Sequence, residues 1–185
     1  IFMSLTYSSM LPLGTKLIAF ELTNAVSEEN FSSEELEILK PTLIMFICNH
    51  CPYVIHYHSE IQKIYKDYKD QVNIVAISSN DIENYPQDGP EHMQDLWKEL
   101  GLSFPYLFDE TQMVAKAYKA ECTPEFYLFD NNRKLVYRGR MDESSPNSAT
   151  LPSGKDLRDA IENLLNDKEI RSDQFPSMGC NIKWK

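Results

Sequence analysis

The sequence has few cysteines, fewer basic than acidic residues and no long purely apolar stretch. Each of these shortages excludes a class of protein. Four cysteines in 185 residues are too few for a small secreted domain held together by disulfides. Eighteen basic against 28 acidic side chains give a net charge of -10, which repels nucleic acids and anionic lipid surfaces. We therefore expect no nucleic-acid partner and no membrane partner.

The longest run without a charged residue, 41–59, has 19 residues and is long enough to cross a bilayer. It contains Asn49, three histidines and Pro52, which do not suit a membrane helix. The first 15 residues are also uncharged but lack a basic start, so we expect no signal peptide. A cytoplasmic location follows as an expectation, because a catalytic cysteine pair is more common there than a structural disulfide.

The hydrophobic pattern predicts an α/β domain over residues 1–167 and an aperiodic C-terminal extension over residues 168–185, which carries Cys180. Strand-like alternation over 16–22, followed by a polar turn region, predicts an N-terminal β-hairpin. Apolar strands and amphipathic helices then alternate in the order β, α, β, α, β, α, β, β, α. The predicted strands are 42–47, 72–77, 104–108, 126–129 and 135–138. A capping-box pattern of Asp109 and Gln112 stands before the third helix.

Cys48 and Cys51 form a Cys-x-x-Cys motif between a predicted buried strand and a predicted helix. A helix N-terminus stabilises a thiolate through free N–H groups and the helix dipole, so we expect the pKa of Cys48 to lie below about 8.5. The Cys48 thiolate would attack a disulfide, and Cys51 would displace the resulting mixed disulfide. His50 would stabilise the thiolate. We therefore predict that Cys48, Cys51 and His50 are catalytic.

Two other uses of this motif stay open. The cysteines could form a structural disulfide or be inert core thiols, or they could bind a metal together with nearby histidines. The candidate ligands are Cys48, Cys51, His50 and His58. A structural zinc site usually needs a second ligand pair, and the sequence has no second Cys-x-x-Cys and no His-x-x-x-His. We predict no metal and no cofactor, with a non-enzymatic copper or zinc carrier as an alternative.

Several segments resemble peroxiredoxin-like proteins of the thioredoxin fold. They are FICNHCPYV (46–54), AISSND (76–81), FPYLFDETQMVAKAYKAECTPEFYLFD (104–130), YRGRMD (137–142) and GCNIKWK (179–185). The resemblance implies a thioredoxin-like fold, with a central mixed β-sheet flanked by helices, a peroxiredoxin-like insertion at 78–108 and a cis-proline that faces the cysteine pair. That proline would be Pro124, and Thr123 before it would offer backbone hydrogen bonds to an extended substrate.

The sequence also departs from the pattern of this family. Thioredoxin has a buried acid six residues before its first cysteine, where this chain has Thr42. His50, Asp81 or water would then accept the proton of the resolving thiol. The peroxidase motif Pro-x-x-x-Thr/Ser-x-x-Cys is incomplete in the register of either cysteine, and no arginine lies between residues 116 and 130 to polarise a peroxide. The framework therefore resembles a peroxiredoxin, whereas the chemistry resembles a thioredoxin.

Cys122 and Cys180 are candidate auxiliary thiols. Cys122 lies two residues before Pro124, which would bring it toward the cysteine pair, although a small buried packing residue fits equally well. Cys180 would relay electrons to Cys48 from a flexible tail, pair with Cys122, or belong to a structural clasp. Trp184 is the expected anchor of this tail.

The first functional hypothesis is a thiol-disulfide oxidoreductase that uses Cys48 for attack and Cys51 for resolution. The second is a peroxiredoxin-like thiol peroxidase with an antioxidant role, in which Cys48 reacts and Cys51 or Cys180 resolves. Either enzyme would act on a disulfide-containing protein or a small thiol substrate, with an unidentified electron donor. The chain would be a monomer or a homodimer.

Overall fold

The computed structural model describes residues 5–185, so the first four residues of the predicted domain lie outside the described part. The strands are β1 (Leu5–Tyr7), β2 (Glu21–Asn24), β3 (Asn30–Ser32), β4 (Thr42–Phe46), β5 (Asn73–Ser78), β6 (Tyr106–Phe108), β7 (Cys122–Thr123), β8 (Glu125–Phe129), β9 (Leu135–Gly139) and β10 (Met178–Asn181). The helices are α1 (Pro52–Tyr68), α2 (Pro90–Leu100), α3 (Met113–Tyr118) and α4 (Lys155–Leu165). Two 3₁₀ turns span Ser33–Glu35 and Pro86–Asp88.

The strands form one large mixed sheet and one small sheet. The large sheet has the order β3-β2-β6-β5-β4-β8-β9, in which β4, β5 and β6 are parallel. β2 and β8 run antiparallel to their parallel neighbours, and β9 pairs antiparallel with β8. The small sheet has the order β1-β10-β7. The predicted central mixed sheet with an antiparallel β8–β9 pair is therefore confirmed.

Strand β4 is the centre of the core, and all five of its residues are buried. Consecutive side chains point to opposite faces of a sheet, so each face receives alternate residues of this strand. Leu43 and Met45 pack in one cluster with residues of α1, α2 and α4. Ile44 and Phe46 pack in a second cluster with residues of α3. The prediction of a strand buried on both faces is confirmed.

The N-terminal β-hairpin exists, but its strands lie later in the sequence than predicted. β2 and β3 pair with Glu21 opposite Ser32, so β3 occupies the segment predicted to be a turn. Lys16, where the first strand was expected to begin, makes an isolated bridge to Lys134. The error arose because β3 is an edge strand with an exposed face, where polar residues that also favour turns are tolerated.

The structure does not contain the predicted capping box before α3. Gln112 is the N-cap with a left-handed backbone, and its side chain makes no capping hydrogen bond. The Asp109 carboxylate instead accepts hydrogen bonds from the N–H groups of Val114 and Ala115. Asp109 therefore does satisfy the start of the helix, but from three residues before the N-cap and not as the N-cap of a capping box.

The C-terminal extension, 168–185, ends in ordered structure. β10 lies between β1 and β7, with Cys180 opposite Thr123 in one direction and Leu5 in the other. Within residues 5–185, no helix combines the length and the apolar character needed to cross a membrane.

Asp142 ties the loop after β9 to both α1 and α4. Its carboxylate accepts hydrogen bonds from the backbone N–H groups of Ser144, Ser153 and Gly154, and from the hydroxyl of Tyr57. Burial opposes ionisation, but the hydrogen bonds from Ser144, Ser153 and Gly154 outweigh it and lower the pKa of Asp142 to about 2. The ionised carboxylate is therefore part of the folded structure.

We expect Asp142→Asn to lower the free energy of unfolding by about 1–3 kcal/mol at neutral pH, because the amide presents an NH₂ group to donors that need an acceptor. The folded pKa of Asp142 lies below the unfolded value of about 3.9, so the charge stabilises the fold fully above that value. This stabilisation is lost as the pH falls through the folded pKa. Urea unfolding at neutral and at acidic pH should show the difference between the two proteins shrinking in acid.

Asp159→Asn is the matched control, because this carboxylate is 58% exposed and pairs with Lys155 on the surface. We expect it to change the free energy of unfolding by less than about 0.5 kcal/mol. An Asp142→Asn effect that is equally small, or that does not vary with pH, would contradict the role of this carboxylate.

Candidate active site

The Cys-x-x-Cys motif fills the connection between β4 and α1. β4 ends at Phe46 and α1 begins at Pro52, with Cys51 as the N-cap. The carbonyl oxygen of Cys51 accepts hydrogen bonds from the N–H groups of the first turn. Proline suits the first position of a helix, where its missing N–H costs nothing. The prediction that Cys48 lies at the helix N-terminus is therefore wrong, and Cys51 holds that position on a helix of 17 residues.

Three of the four cysteine sulfurs meet beside Thr123. Cys51 Sγ lies 2.9 Å from Cys180 Sγ and 3.2 Å from the carbonyl oxygen of Thr123. Cys48 Sγ lies 3.4 Å from Oγ1 of Thr123. The peptide bond between Thr123 and Pro124 is cis, which confirms that prediction. All three thiols are at least 97% buried, so their contacts with one another dominate their chemistry.

Hydrogen bonds distinguish the sulfurs of Cys48 and Cys51. The Cys51 thiol donates to the carbonyl oxygen of Thr123 and to Cys180 Sγ, so Cys51 is protonated in this arrangement. Cys48 Sγ lies next to the Thr123 hydroxyl, a group that can donate to a thiolate. The contact with Cys51, burial and the Asp88 carboxylate raise the pKa of Cys48, whereas the hydrogen bond with Thr123 lowers it. The expected lowering of the Cys48 pKa is therefore wrong.

A buried aspartate holds the loop between the two cysteines. Asp88 is fully buried, and its Oδ2 lies 2.6 Å from Nδ1 of His50. Its carboxylate also accepts hydrogen bonds from the N–H of Asn49 and the amide of Asn80. The sequence analysis missed Asp88, since nothing in the local pattern separates it from the other polar residues of its loop. Asp81, which was considered as a proton acceptor, bonds within its own loop instead.

Cys48, His50 and Asp88 are also the residues that could hold a metal ion. One ligand atom from each lies within 4.8 Å of the other two. The Asp88 carboxylate is already engaged by four hydrogen bonds, so a metal would have to displace several of them. His58, the further ligand considered from the sequence, is not part of this group. The cluster is therefore organised by hydrogen bonds among its own residues.

Cys122 has a different partner from the other three cysteines. Its Sγ lies 3.8 Å from Oε2 of Glu125, and both residues are buried. Burial raises the pKa of Glu125 to about 7 and also raises the pKa of Cys122. Cys122 is therefore a protonated thiol that points toward a carboxyl group.

The tail is anchored mainly by the residues just before Trp184. Ile182 is buried in the core, and its N–H donates to the carbonyl oxygen of Glu121. The N–H of Lys183 donates to Asn80 Oδ1, 2.9 Å away. Trp184 is 38% exposed and contributes a surface contact, with Lys116 Nζ 5.6 Å from the centroid of its ring. The anchoring holds Cys180 in place next to Cys51.

We expect Thr123→Val to raise the pKa of Cys48, because it removes the hydroxyl whose hydrogen bond lowers this pKa. Thr123→Ser should leave the pKa close to the wild-type value, because serine keeps a hydroxyl donor. The ultraviolet absorbance of the thiolate during titration of the reduced wild-type protein and of both variants measures the shifts.

Thr123→Val and Thr123→Ser proteins that titrate alike would contradict the hydrogen bond from this hydroxyl to Cys48, since the two replacements differ in their ability to donate.

Two solved structures match this chain over nearly its whole length. An uncharacterized conserved protein from Geobacillus kaustophilus is 47% identical, with a TM-score of 0.97 and coverage of 100% of this chain and 98% of that chain. The hypothetical protein SMc02350 from Sinorhizobium meliloti 1021 is 39% identical, with a TM-score of 0.94 and coverage of 97% and 98%.

Relatives with a described activity are more distant. The thiol-disulfide oxidoreductase YkuV of Bacillus subtilis (strain 168) is 26% identical over 106 residues, which cover 55% of this chain and 68% of that protein. A secreted disulfide oxidoreductase from Mycobacterium tuberculosis is 18% identical, with a TM-score of 0.61 and coverage of 78% and 96%. This likeness confirms the predicted thioredoxin-like fold. The Redoxin family model matches residues 12–153, more than half of the sequence. The chain therefore belongs to the Redoxin family.

Proposed function

We propose that this chain is a thiol-disulfide oxidoreductase in which Cys48 is the nucleophile and Cys51 is the resolving thiol. The observation that carries the proposal is the different engagement of the two sulfurs beside the cis peptide bond between Thr123 and Pro124. The Cys51 thiol donates to the carbonyl oxygen of Thr123, whereas the Thr123 hydroxyl can donate to a thiolate on Cys48. A thiolate is the reactive form of cysteine.

The reaction proceeds by two displacements at sulfur. The Cys48 thiolate attacks one sulfur of a substrate disulfide, and the other substrate sulfur leaves as a thiolate. Cys51 then attacks Cys48 Sγ, so that a Cys48–Cys51 disulfide forms, and the second substrate sulfur leaves with the proton of Cys51. The substrate disulfide gains two electrons and becomes two thiols, while the two cysteines lose these electrons. An external dithiol reverses the oxidation of the pair.

His50 lies beside the reacting sulfur and is held in one orientation. It belongs to the same group of atoms as Cys48, and its Nδ1 contacts the Asp88 carboxylate. The ring also stacks on Tyr85, with 5.6 Å between the centroids and 9° between the planes. These contacts keep the loop between the two cysteines in place during the exchange.

The environment favours a disulfide over a peroxide as the substrate. A peroxidase needs a free arginine near its cysteine, and the two arginines in and directly after β9, Arg138 and Arg140, are engaged elsewhere. Arg138 donates to the carbonyl oxygen of Leu11, and Arg140 forms an ion pair with Asp156. We propose a disulfide-containing protein or a low-molecular-mass disulfide as the partner. The cytoplasmic location and the oligomeric state stay predictions from the sequence.

We expect the reduced wild-type protein to consume glutathione disulfide in a single turnover and to release glutathione. Cys48→Ser should abolish this release, because it removes the attacking sulfur. Cys122→Ser is the matched control, since Cys122 faces Glu125 and takes no part in the exchange. Quenched-flow sampling followed by chromatography of the released thiol measures all three proteins.

Glutathione release by Cys48→Ser at the wild-type rate would exclude Cys48 as the nucleophile. The same samples treated with hydrogen peroxide test the second hypothesis. Consumption no faster than that by free cysteine is expected, whereas rapid consumption that depends on Cys48 would show that the protein is a thiol peroxidase.

A further inference from the structure

The two cysteines of the motif are closed off from solvent in this structure. Cys48 is 1% exposed and Cys51 is fully buried. Thiol-disulfide exchange begins when a thiolate attacks a disulfide sulfur, so its rate depends on access to the attacking thiol. A substrate disulfide therefore reaches Cys48 only after some element of the fold has moved away from it.

Strand β10 occupies the edge of β7 that the family resemblance assigns to an extended substrate. Cys180 lies opposite Thr123, and Asn181 lies opposite Cys122. The carbonyl oxygen of Thr123 faces β10, since a Cβ atom on Gly179 would lie only 2.0 Å from it. A residue in an antiparallel pair directs its N–H and its carbonyl group toward the same neighbouring strand. The backbone of Thr123 is therefore turned toward the chain's own strand and not toward solvent.

The segment that follows β10 is also tied to the other group beside the Cys48 sulfur. The N–H of Lys183 donates to Asn80 Oδ1, and the amide of Asn80 donates to Asp88 Oδ2. Thr123 Oγ1 lies 3.4 Å from Cys48 Sγ, and an oxygen of Asp88 lies within 4.8 Å of it. The C-terminal segment therefore contacts one neighbour of Cys48 directly and the other through a single side chain.

Strand β10 is joined to the rest of the fold by few strand pairs. Its other neighbour, β1, is an edge strand, and within residues 5–185 the small sheet continues only through β7. Two residue pairs connect β10 to β7. Directly after β10, the side chain of Ile182 is 1% exposed and packs in the cluster that contains residues of α3. A segment with so few attachments opens more readily than the whole protein unfolds.

We propose that residues 178–185, here called the C-terminal strap, close the active site and separate from β7 as a local unit before Cys48 reacts. This inference rests on the proposed function for the identity of the reacting thiol. The strap and an extended polypeptide disulfide need the same backbone groups of Thr123, so the binding of one excludes the other. The apparent affinity for the substrate is therefore reduced by the fraction of molecules in which the strap is closed.

Alkylation of the reduced full-length protein with N-ethylmaleimide under native conditions tests the strap. Samples taken over time are quenched with excess free cysteine, denatured, blocked with iodoacetamide and digested with trypsin. Cys48 and Cys51 lie in the same tryptic peptide, 17–63, and tandem mass spectrometry distinguishes the two sites. The measured quantity is the rate at which N-ethylmaleimide modifies Cys48.

Ile182→Ala removes the apolar anchor of the strap. We expect it to accelerate the alkylation of Cys48 by about 30-fold, the equivalent of the roughly 2 kcal/mol that the loss of a buried isoleucine side chain costs at least. Leu135→Ala is the matched control, because Leu135 is 1% exposed and packs in the same cluster but lies on β9. It destabilises the whole fold without loosening the strap, so its alkylation rate should stay close to that of the wild-type protein.

Two results would overturn the strap. One is a folded Ile182→Ala protein in which Cys48 is alkylated at the wild-type rate. The other is an acceleration in Leu135→Ala that matches its loss of global stability, because Cys48 would then become accessible only by complete unfolding. Circular dichroism and urea unfolding show whether each variant folds. If Ile182→Ala does not fold, Ile182→Val takes its place, with an expected acceleration of about fivefold.

The failure of the strap and the failure of the proposed function give different results. The same proteins are mixed with glutathione disulfide, and we expect Ile182→Ala to release glutathione faster than the wild-type protein. Faster alkylation of Cys48 in Ile182→Ala, without glutathione release by any of the proteins, would overturn the proposed function and leave the closure of the site in place. Glutathione release that depends on Cys48, with alkylation unaffected at residue 182, would overturn the strap and leave the proposed function intact.

Discussion

The contacts of Thr123 with the two cysteines of the motif determine the chemistry of this site. Its carbonyl oxygen accepts a hydrogen bond from the Cys51 thiol, and its hydroxyl lies beside Cys48 Sγ. Three elements meet there, namely the first turn of α1, the cis-proline connection after β7, and β10, which pairs with β7. The large sheet positions the first two, because β4 leads into α1 and β7 leads into β8 beside β4.

A second buried polar group keeps the loop between the cysteines in one conformation. Asp88 accepts hydrogen bonds from the N–H groups of Asn49 and His50 and from the side chains of His50 and Asn80. A buried carboxylate requires such partners, and three of these four hydrogen bonds come from the loop between the cysteines. The loop is thereby held against the segment between β5 and α2.

Local patterns predicted most of the secondary structure correctly. α2 spans Pro90–Leu100, with Pro90 at its first position and Gly101 in the left-handed conformation at its C-cap. Its start and end are encoded by proline and glycine, whose backbone preferences act within a few residues. The start of α3 and the position of β3 were predicted wrongly, because Asp109 caps from outside the usual spacing and the polar residues of β3 are typical of turns as well.

The sequence by itself determined that β4 is a central strand and that a cysteine pair follows it, because an uninterrupted apolar run and a Cys-x-x-Cys motif are local features. Only the tertiary structure decided which groups contact each sulfur. The Cys51 thiol donates to Cys180, 129 residues away, and to the carbonyl oxygen of Thr123, and no local pattern reports which distant groups will lie next to a thiol.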